Sequence, residues 1–528
     1  MAFLRKKAVG RPSSEPILSR MAAEDRIPWY RKPNLRTLYL LLFPTCMGVE
    51  MTSGFDSQII NSVQLVDPWQ EYFHHPEGSL QGIIAAAYSL GAICSLPFIP
   101  LINDRFGRRW CIVFGSTIMI LGSFLQGFSN GAPMYIIARL LLGFGIPFCI
   151  VAASSLMGEL GHPNERPILT SLFNACWFIG SILAASITYA THSIHSDWSW
   201  RIPSLLQAVP SVLQISFVFF IPESPRFLIS KGRRREAMDI LVKYHAEGDA
   251  NAEFPRAEMA QIEATLMIEF EHSKQSWLDM LRTSGMRRRA IIASFLGLFT
   301  QWSGNTLISY YLNDLLTLIG YDESSLKGQV NVCLTCWNLV SGVTISLLVM
   351  RFRRRAMYMV CTVSLLCVYI GWTISMERFE ATQAPSIAKL TVFFIFIYSA
   401  AYNIGYNALT YTYLVEIFPY AQRSRGITLF QFFGRSAGFF TTYVNPIGLD
   451  NIKWKWLLTY CCWIAFEIVV VYFLFPETSG RTLEELAFLF EDKKFEEKAT
   501  VAVEKEIHDA NSLELSESEP RSLARQTI

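Results

Sequence analysis

Charged residues are scarce in this chain: Asp, Glu, Lys and Arg make up 17% of its 528 residues, and residues 110–138 include none of them. Hydrophobic residues make up 51% and aromatic residues 14%, which is not the composition of ordinary soluble domains. The sequence therefore predicts an integral membrane protein. It is expected to contact the lipid bilayer and not to bind nucleic acid.

Features of secreted and metal-binding proteins are also lacking. The first 36 residues carry basic charges throughout and no apolar run, so no signal peptide is expected. All 11 cysteines fall in long apolar windows, which argues against a disulfide framework. Cys333 and Cys336 have CxxC spacing without a nearby His or second pair, and we interpret them as small packing residues. No metal and no other cofactor is expected.

What the chain does have is a series of apolar windows of about 20 residues, the length that crosses a hydrocarbon core of ~30 Å. Twelve membrane helices are predicted, at 37–60, 80–102, 110–128, 133–157, 168–190, 202–221, 290–312, 328–350, 356–376, 387–415, 426–447 and 454–475. The two sets of six have similar lengths, and each is followed by a similar segment, PESPR at 222–226 and PETSGR at 476–481. This pattern predicts an all-α protein made of two six-helix pseudo-repeats.

The predicted organisation follows from these windows. It consists of an N-terminal tail (1–36), a first bundle (37–221), a linker with short amphipathic helices (222–289), a second bundle (290–475) and a C-terminal tail (476–528). Lys and Arg are concentrated in both tails, the linker and the turns on the same side, which predicts that both termini are cytosolic. The end of the chain is rich in Glu, Lys and Ser and is expected to be disordered, with Ser512, Ser516, Ser518 and Ser522 open to phosphorylation.

Two charged residues stand out inside the predicted spans. An ionisable side chain in hydrocarbon costs several kcal/mol unless it is paired, so Asp56 in the first span and Arg139 in the fourth are candidates for a functional pair. The alternative for Asp56 is a position at the outer interface, where it would only cap its helix.

Polar side chains form stripes on several predicted helices, at spacings that place them on one face. The stripes consist of Gln301, Asn305 and Ser309; Asn331, Thr335 and Asn338; and Asn403, Asn407 and Tyr411, with Asn174 and Trp177 in the first half. Amides donate and accept hydrogen bonds, which suits a neutral polyhydroxylated solute, and aromatic faces suit a sugar ring. The alternative is hydrogen bonding between helices.

Several short motifs occur in a fixed order along the chain. They are DRFGRR (104–109), Glu159 with Arg166, PESPR (222–226), QWSGN (301–305), YLVEIFP (413–419) with Arg423, and PETSGRTLEE (476–485). On these motifs, from about residue 35 to 490, the chain resembles the sugar porters of the major facilitator superfamily. The sequences of the segments FFGR (432–435) and NPIGL (445–449) are most similar to those of the fungal lactose and cellodextrin permeases.

The resemblance implies a proton-coupled sugar symporter of the plasma membrane, monomeric, that opens alternately to either side. It implies sugar contacts at Asn174, Gln301, Asn338 and Tyr411, to which the stripes add Asn305 and Asn407, and proton coupling at Asp56 with Arg139. It also implies that charged residues stabilise the state closed to the cytosol: Asp104, Arg105, Arg109, Glu159 and Arg166 in the first half, and Glu416 and Arg423 in the second. The linker helices are expected to fasten that state.

The substrate inferred from this resemblance is a β-linked disaccharide such as lactose or cellobiose, with a hexose as the alternative. A sugar sensor that transports little or nothing is the other alternative. A hydrolase is not expected, because the GxSxG match at 434–438 lies in an apolar span with no strand pattern before it.

Two segments depart from the family pattern, the turn at 350–355 and the helix that contains Ala408. The second copy of the charged turn reads MRFRRR (350–355), with Met350 in place of the acid and Arg353 in place of the glycine. Ala408 replaces a proline, which predicts the loss of a helix kink. Arg435 faces either the solute cavity or an inner carboxylate, and the sequence does not choose between them.

Overall fold

The computed structural model describes residues 27–63, 66–74, 79–191, 194–272, 277, 279–320, 324–481, 486 and 490. All regular secondary structure within these ranges is helical. The serines proposed for phosphorylation lie outside the described residues.

The described part of the first half contains ten α-helices. They are α1 (Pro33–Leu42), α2 (Gly48–Val63), α3 (Asp67–Tyr72), α4 (Ser79–Ser95), α5 (Ile99–Phe106), α6 (Arg108–Gly127), α7 (Ala132–Leu160), α8 (Arg166–Thr191), α9 (Trp198–Leu206) and α10 (Ala208–Val218).

The linker and the second half contain the other helices. The linker forms α11 (Pro225–Ser230), α12 (Arg234–His245), α13 (Glu253–His272) and α14 (Asp279–Arg282). The second half forms α15 (Ser284–Trp302), α16 (Asn305–Leu318), α17 (Ser324–Leu348), α18 (Arg354–Thr382), α19 (Pro385–Tyr402), α20 (Ala408–Ile417), α21 (Tyr420–Ile452) and α22 (Lys455–Leu474).

Nine helical segments in the described part of the chain are long and apolar enough to cross a membrane. The other three predicted spans are helical but interrupted or more polar. The sixth is divided at Gln207, and the seventh is divided at Gly304, whose φ of +101° is a left-handed conformation that favours glycine. The eleventh, α21, carries several charged and amide side chains.

Single π-helical turns interrupt two spans. One, Phe43–Met47, joins α1 to α2, and the other, Asn403–Asn407, joins α19 to α20 directly before Ala408. The loss of the proline at Ala408 therefore does not make this helix regular, because the π turn supplies the irregularity that we expected to be lost. Such turns occur frequently at functional sites.

Glycines allow close helix packing where the charged side chains of the first half meet. A Cβ atom at Gly54 would lie 1.9 Å from the carbonyl oxygen of Trp177, so α2 and α8 touch through their backbones. The same applies to α4 and α7, where a Cβ at Gly143 would lie 1.9 Å from the carbonyl oxygen of Tyr88. Small residues permit this approach in membrane bundles. It brings α2 against α8, near Asp56, and α4 against α7, near Arg139.

The linker helices attach to the first half. Nδ1 of His245 lies 2.6 Å from Oε2 of Glu258, and its Nε2 lies 3.3 Å from the carbonyl oxygen of Leu160 at the end of α7. The carboxylate of Glu247 accepts hydrogen bonds from the backbone N–H groups of Asn34 and Leu35, at 2.9 and 3.0 Å. The linker thus caps the first turn of α1, and we call the side of the bundle on which it lies the linker side.

Candidate functional site

A polar cavity of about 190 Å³ lies among helices of both halves. It has room for far more than one water molecule, which needs ~10–15 Å³ by the same measure. The residues that line it include Glu50, Gln58, Asn174, Trp177, Gln301, Asn305, Asn407, Tyr411, Gln431 and Arg435.

Five of the six predicted solute contacts face this cavity. Asn174 and Asn407 come from different halves and are also bonded to each other, because Nδ2 of Asn174 donates to the carbonyl oxygen of Asn407 at 2.7 Å. Gln301, Asn305 and Tyr411 complete the set from the second half. The cavity therefore offers amides and a phenol from two sides to a single solute.

Asn338 is not among the residues that line the cavity. Its carbonyl oxygen accepts a hydrogen bond from Nδ2 of Asn403 at 3.2 Å, and that amide also donates to Ser341 at 2.7 Å. In this conformation the stripe on α17 thus contributes to packing between helices, which was the alternative explanation for such residues.

Gln431 is a cavity residue that the sequence analysis did not select. Its Nε2 donates to the hydroxyl of Tyr411 at 2.8 Å, while the ring of Phe173 packs edge-on against Tyr411 at 5.1 Å. These contacts hold the phenol of Tyr411 in place. The sequence signal that could have identified Gln431 is its spacing, because its amide lies four residues before Arg435 and therefore on the same helix face.

Asp56 is completely buried in the middle of α2, which excludes the helix-capping alternative. Its carboxylate accepts a hydrogen bond from Nε2 of Gln207, at the break between α9 and α10. Nη1 of Arg139 donates to the backbone carbonyl of Asp56 at 3.3 Å rather than to the carboxylate. The predicted pair is therefore adjacent, with Gln207 as a third member that sequence reasoning missed.

The linker side is closed by ion pairs around Glu159, which is buried at the end of α7. Arg108 contacts its carboxylate through Nε at 3.2 Å, and Arg423 of the second half contacts it through Nη1 at 2.8 Å. A second pair joins Asp104 to Arg425, also across the halves, at 3.2 Å. Glu159, Asp104 and Arg423 were predicted, whereas Arg108 and Arg425 were not.

The other predicted charges have different positions. Arg105 is exposed and lies over the ring of Phe106, and Arg109 donates to the carbonyl oxygens of Val218 and Phe219 at 3.1 and 3.0 Å. Neither makes an ion pair in the described structure, because Arg108, the other base of the turn, occupies the buried position beside Glu159.

In the second half, Glu416 pairs with Arg354 at 3.3 Å and accepts a hydrogen bond from Thr478 at 2.6 Å. Arg423, which was predicted together with Glu416 to stabilise the closed state, binds Glu159 of the first half. Arg166 of the first half is buried, and its charge acts on Glu416.

The GxSxG match at 434–438 lies inside α21 and not between a strand and a helix, so the structural context of a hydrolase elbow is not present there.

A comparison with protein-family models matches residues 41–490 to the family described as Sugar (and other) transporter. The chain belongs to this family. Its members are transporters, and this transporter has the fold of the major facilitator superfamily, in agreement with the sequence analysis. The likeness to the lactose and cellodextrin permeases stays a prediction.

Individual relatives of this transporter are distant but cover most of it. The high-affinity glucose transporter of Kluyveromyces lactis is 25% identical over 490 residues, which are 88% of this chain and 87% of the relative. The arabinose-proton symporter of Bacillus subtilis is 26% identical over 427 residues, 78% of this chain and 87% of the relative. The structure of the proton:xylose symporter XylE bound to 6-bromo-6-deoxy-D-glucose superimposes with a TM-score of 0.77 at 20% identity, covering 87% of this chain and 100% of XylE.

Proposed function

We propose that this transporter carries a neutral sugar across the plasma membrane together with a proton, by alternating access. The observation that carries the proposal is the cavity itself, which presents Asn174 from one half and Gln301, Asn305, Asn407 and Tyr411 from the other to one solute. Amides and a phenol match the alternating donors and acceptors of sugar hydroxyls.

The proton site in this proposal is Asp56 with Arg139. Protonation of the buried carboxylate from outside would weaken its attraction to the guanidinium, and release of the proton to the cytosol would restore it. Gln207 holds the carboxylate in either state because its amide can donate to an ionised or a protonated acid.

Closure of the linker side supports the alternating-access part of the proposal. The pairs Glu159–Arg423 and Asp104–Arg425 join the two halves there, and they must separate before a bound sugar can leave on that side. We place the linker and both termini in the cytosol because Lys and Arg are concentrated on that side, and we propose a monomeric unit.

The size of the sugar is the finer part of the proposal. The relatives reported above are named for glucose and arabinose, and the XylE title names xylose and a glucose derivative, so these names favour a monosaccharide. The β-linked disaccharide rests on the motif resemblance and on the number of polar side chains in the stripes, which could engage two sugar rings. Competition of D-glucose, D-xylose, lactose and cellobiose for one labelled sugar ranks them directly.

Uptake in a transport-deficient host tests the function and the role of Asp56. The wild type is expected to accumulate labelled sugar when the outside is acidified, and Asp56→Asn is expected to lose this response while still exchanging sugar across the membrane. Asp197→Asn, an exposed carboxylate beside Arg201, is the matched control and should behave as wild type. Full pH-driven accumulation by Asp56→Asn would contradict the assigned role. Binding without any uptake by the wild type would favour the sensor.

A further inference from the structure

The sugar cavity contains two opposite charges to which neither the proton site nor the linker-side ion pairs assign a role. Glu50 lies on α2 in the first half, and Arg435 lies on α21 in the second, and both line the cavity. The side chain of Glu50 is only 3% exposed, and its Oε1 has no hydrogen-bond partner among the described residues. A buried carboxylate oxygen without a partner, on a residue that lines a polar cavity, is a binding group available to a ligand that enters the cavity.

Arg435 is positioned by an aromatic ring. Its guanidinium carbon lies 5.6 Å from the ring centroid of Tyr88, and that of Arg139 lies 5.1 Å from the same ring. No hydrogen bond or ion pair of Arg435 occurs in the described part of the chain, so its N–H donors remain available. Arg435 thus faces the cavity, which decides between the two positions that the sequence left open.

The two groups balance each other electrostatically without touching. Glu50 and Arg435 act on each other through their charges, but they form no direct ion pair in the described structure. Two opposite charges that share a low-dielectric cavity lower the cost of burying each other. The space between them remains open to a molecule that can bond to both.

We propose that Glu50 and Arg435 determine sugar specificity by binding neighbouring hydroxyl groups of the sugar, and this inference rests on the function proposed above. The carboxylate of Glu50 accepts the proton of one hydroxyl, and the planar guanidinium of Arg435 donates two N–H groups to the oxygen atoms beside it. Hydrogen bonds with one charged partner are stronger than neutral ones, so these two contacts contribute more than the surrounding amides.

The opposite charges of Glu50 and Arg435 indicate which class of ligand fits the cavity. A neutral polyol bridges the two groups and leaves the cavity neutral, whereas a sugar acid brings a second carboxylate next to Glu50. We therefore assign the site to neutral sugars that have adjacent hydroxyls. Since the two residues belong to different halves, the bound sugar contacts both halves at once.

Calorimetric binding to the purified transporter tests this assignment, with D-glucose, its 2-, 3-, 4- and 6-deoxy derivatives and D-glucuronate as ligands. In the wild type, loss of the hydroxyl that meets Glu50 should weaken binding about tenfold. In Glu50→Gln, D-glucose should weaken to the level of that deoxy sugar, and the same deoxy sugar should bind as it does to the wild type. Arg435→Gln should show this pattern at the neighbouring hydroxyl, and Arg435→Lys should retain part of the affinity.

Glu380→Gln is the matched control, because it also removes one carboxylate but at an exposed pair with Lys453. It should bind all ligands as the wild type does. Equal weakening of every ligand by Glu50→Gln and Arg435→Gln, with unchanged thermal unfolding, would show a merely structural pair and overturn the proposal. Tighter binding of D-glucuronate than of D-glucose would overturn it as well. If the wild type bound none of these sugars, the proposed function would fail first.

Discussion

The two halves of the transporter carry the same helix cap on the linker side. The carboxylate of Glu223 accepts hydrogen bonds from the backbone N–H groups of Arg108 and Arg109, at 3.2 and 3.1 Å, at the start of α6. The carboxylate of Glu477 accepts hydrogen bonds from the backbone N–H groups of Arg354 and Arg355, at 2.9 and 3.3 Å, at the start of α18. A carboxylate at a helix N-terminus satisfies free N–H groups and interacts favourably with the helix dipole. The repeated PES and PET segments are thus repeated caps.

The ion pairs next to these caps are not repeated in full. In the first half, Asp104 precedes the cap and reaches Arg425 of the second half. The corresponding position in the second half is Met350, whose side chain is 44% exposed. Glu159 binds two guanidinium groups, one from each half, while Glu416 has its closest described ion pair with Arg354 of its own half. Closure of the linker side therefore depends more on acids of the first half.

The largest expected effect comes from neutralising Glu159, which pairs with guanidinium groups of both halves. Glu159→Gln leaves the buried Arg108 and Arg423 without their carboxylate, and removal of one partner from a buried ion pair costs about 3–5 kcal/mol. We expect a lower unfolding temperature and opening of the linker side. The readout is thiol labelling at Ser424→Cys, a buried position whose sequence neighbours Arg423 and Arg425 form the pairs across the halves.

Glu416→Gln is the matched comparison and should have a smaller effect on labelling, because Thr478 can still donate to the amide oxygen and the cross-half pairs of Glu159 and Asp104 persist. Equal labelling in the two variants would contradict the asymmetry.

A smaller effect is expected from supplying the missing pair. Arg425 stands two residues after Arg423, and Ile168 stands two residues after Arg166, on a helix that contacts residues 349–351. Met350→Asp with Ile168→Arg should therefore create the counterpart of Asp104–Arg425 and stabilise the closed state by about 1 kcal/mol, about a fivefold shift. Lower labelling at Ser424→Cys is the expected result.

Each single substitution is the control for this pair, since a lone charge at either position has no new partner. Arg353→Gly need not accompany them, because Arg353 has a φ of −73° and, unlike Gly107 at +94°, does not need a left-handed conformation. A double variant that labels no less than the singles would show that the second half cannot form this contact.

The sequence predicted the fold and the residue types of the cavity because both depend on patterns along the chain. Apolar windows of membrane length indicate spans, and stripes of Asn and Gln indicate one face of a helix. Asp56 and Arg139 stood out because charges are rare in lipid. The domain limits and the roles of these residues stay predictions.

The ion-pair and hydrogen-bond partners of the individual side chains could not be predicted, because they depend on how helices distant in sequence pack against each other. Arg108 rather than Arg105 or Arg109 reaches Glu159, since only its position in the first turn of α6 points into the bundle. Gln207 looked like an ordinary polar residue in an apolar span, and only the fold places it on Asp56. Glu50 lies in the same predicted span as Asp56, but its proximity to Arg435 arises only from the meeting of the two halves.

The smallest expected effect concerns the linker, which is attached to the first half through two histidines. The rings of His162 and His245 pack edge-on at 5.4 Å, and Nδ1 of His162 lies 3.3 Å from Glu165. Burial lowers the pKa of His162, although Glu165 opposes the shift. Burial alone would raise the pKa of Glu258, but the charge and hydrogen bond of His245 lower it to about 2.

The sign of the pH effect follows from these directions. A histidine whose pKa is lowered by packing stabilises the attached linker above the ordinary value of about 6.5 and opposes attachment as the pH falls below it. Glu258 stays ionised until much lower pH, so its charge does not change between pH 7 and pH 5, and the lowered pKa of His162 sets the direction of the expected effect. The charges that surround this cluster are Glu165, His245, Glu258, Arg166 and Arg226.

Hydrogen exchange of the backbone amides of α12 and α13, corrected for the intrinsic pH dependence, measures this attachment. Lowering the pH from 7 to 5 should increase exchange by about threefold, since release of the linker then takes up a proton. The amides of α18, which lies in the second half away from the histidines, are the internal control and should not change. His162→Gln keeps a polar side chain that cannot titrate, and it should flatten the profile of α12 and α13. If that variant kept the wild-type pH dependence, the effect would have to come from another group, and the linker's attachment to the first half would not depend on the charge of His162.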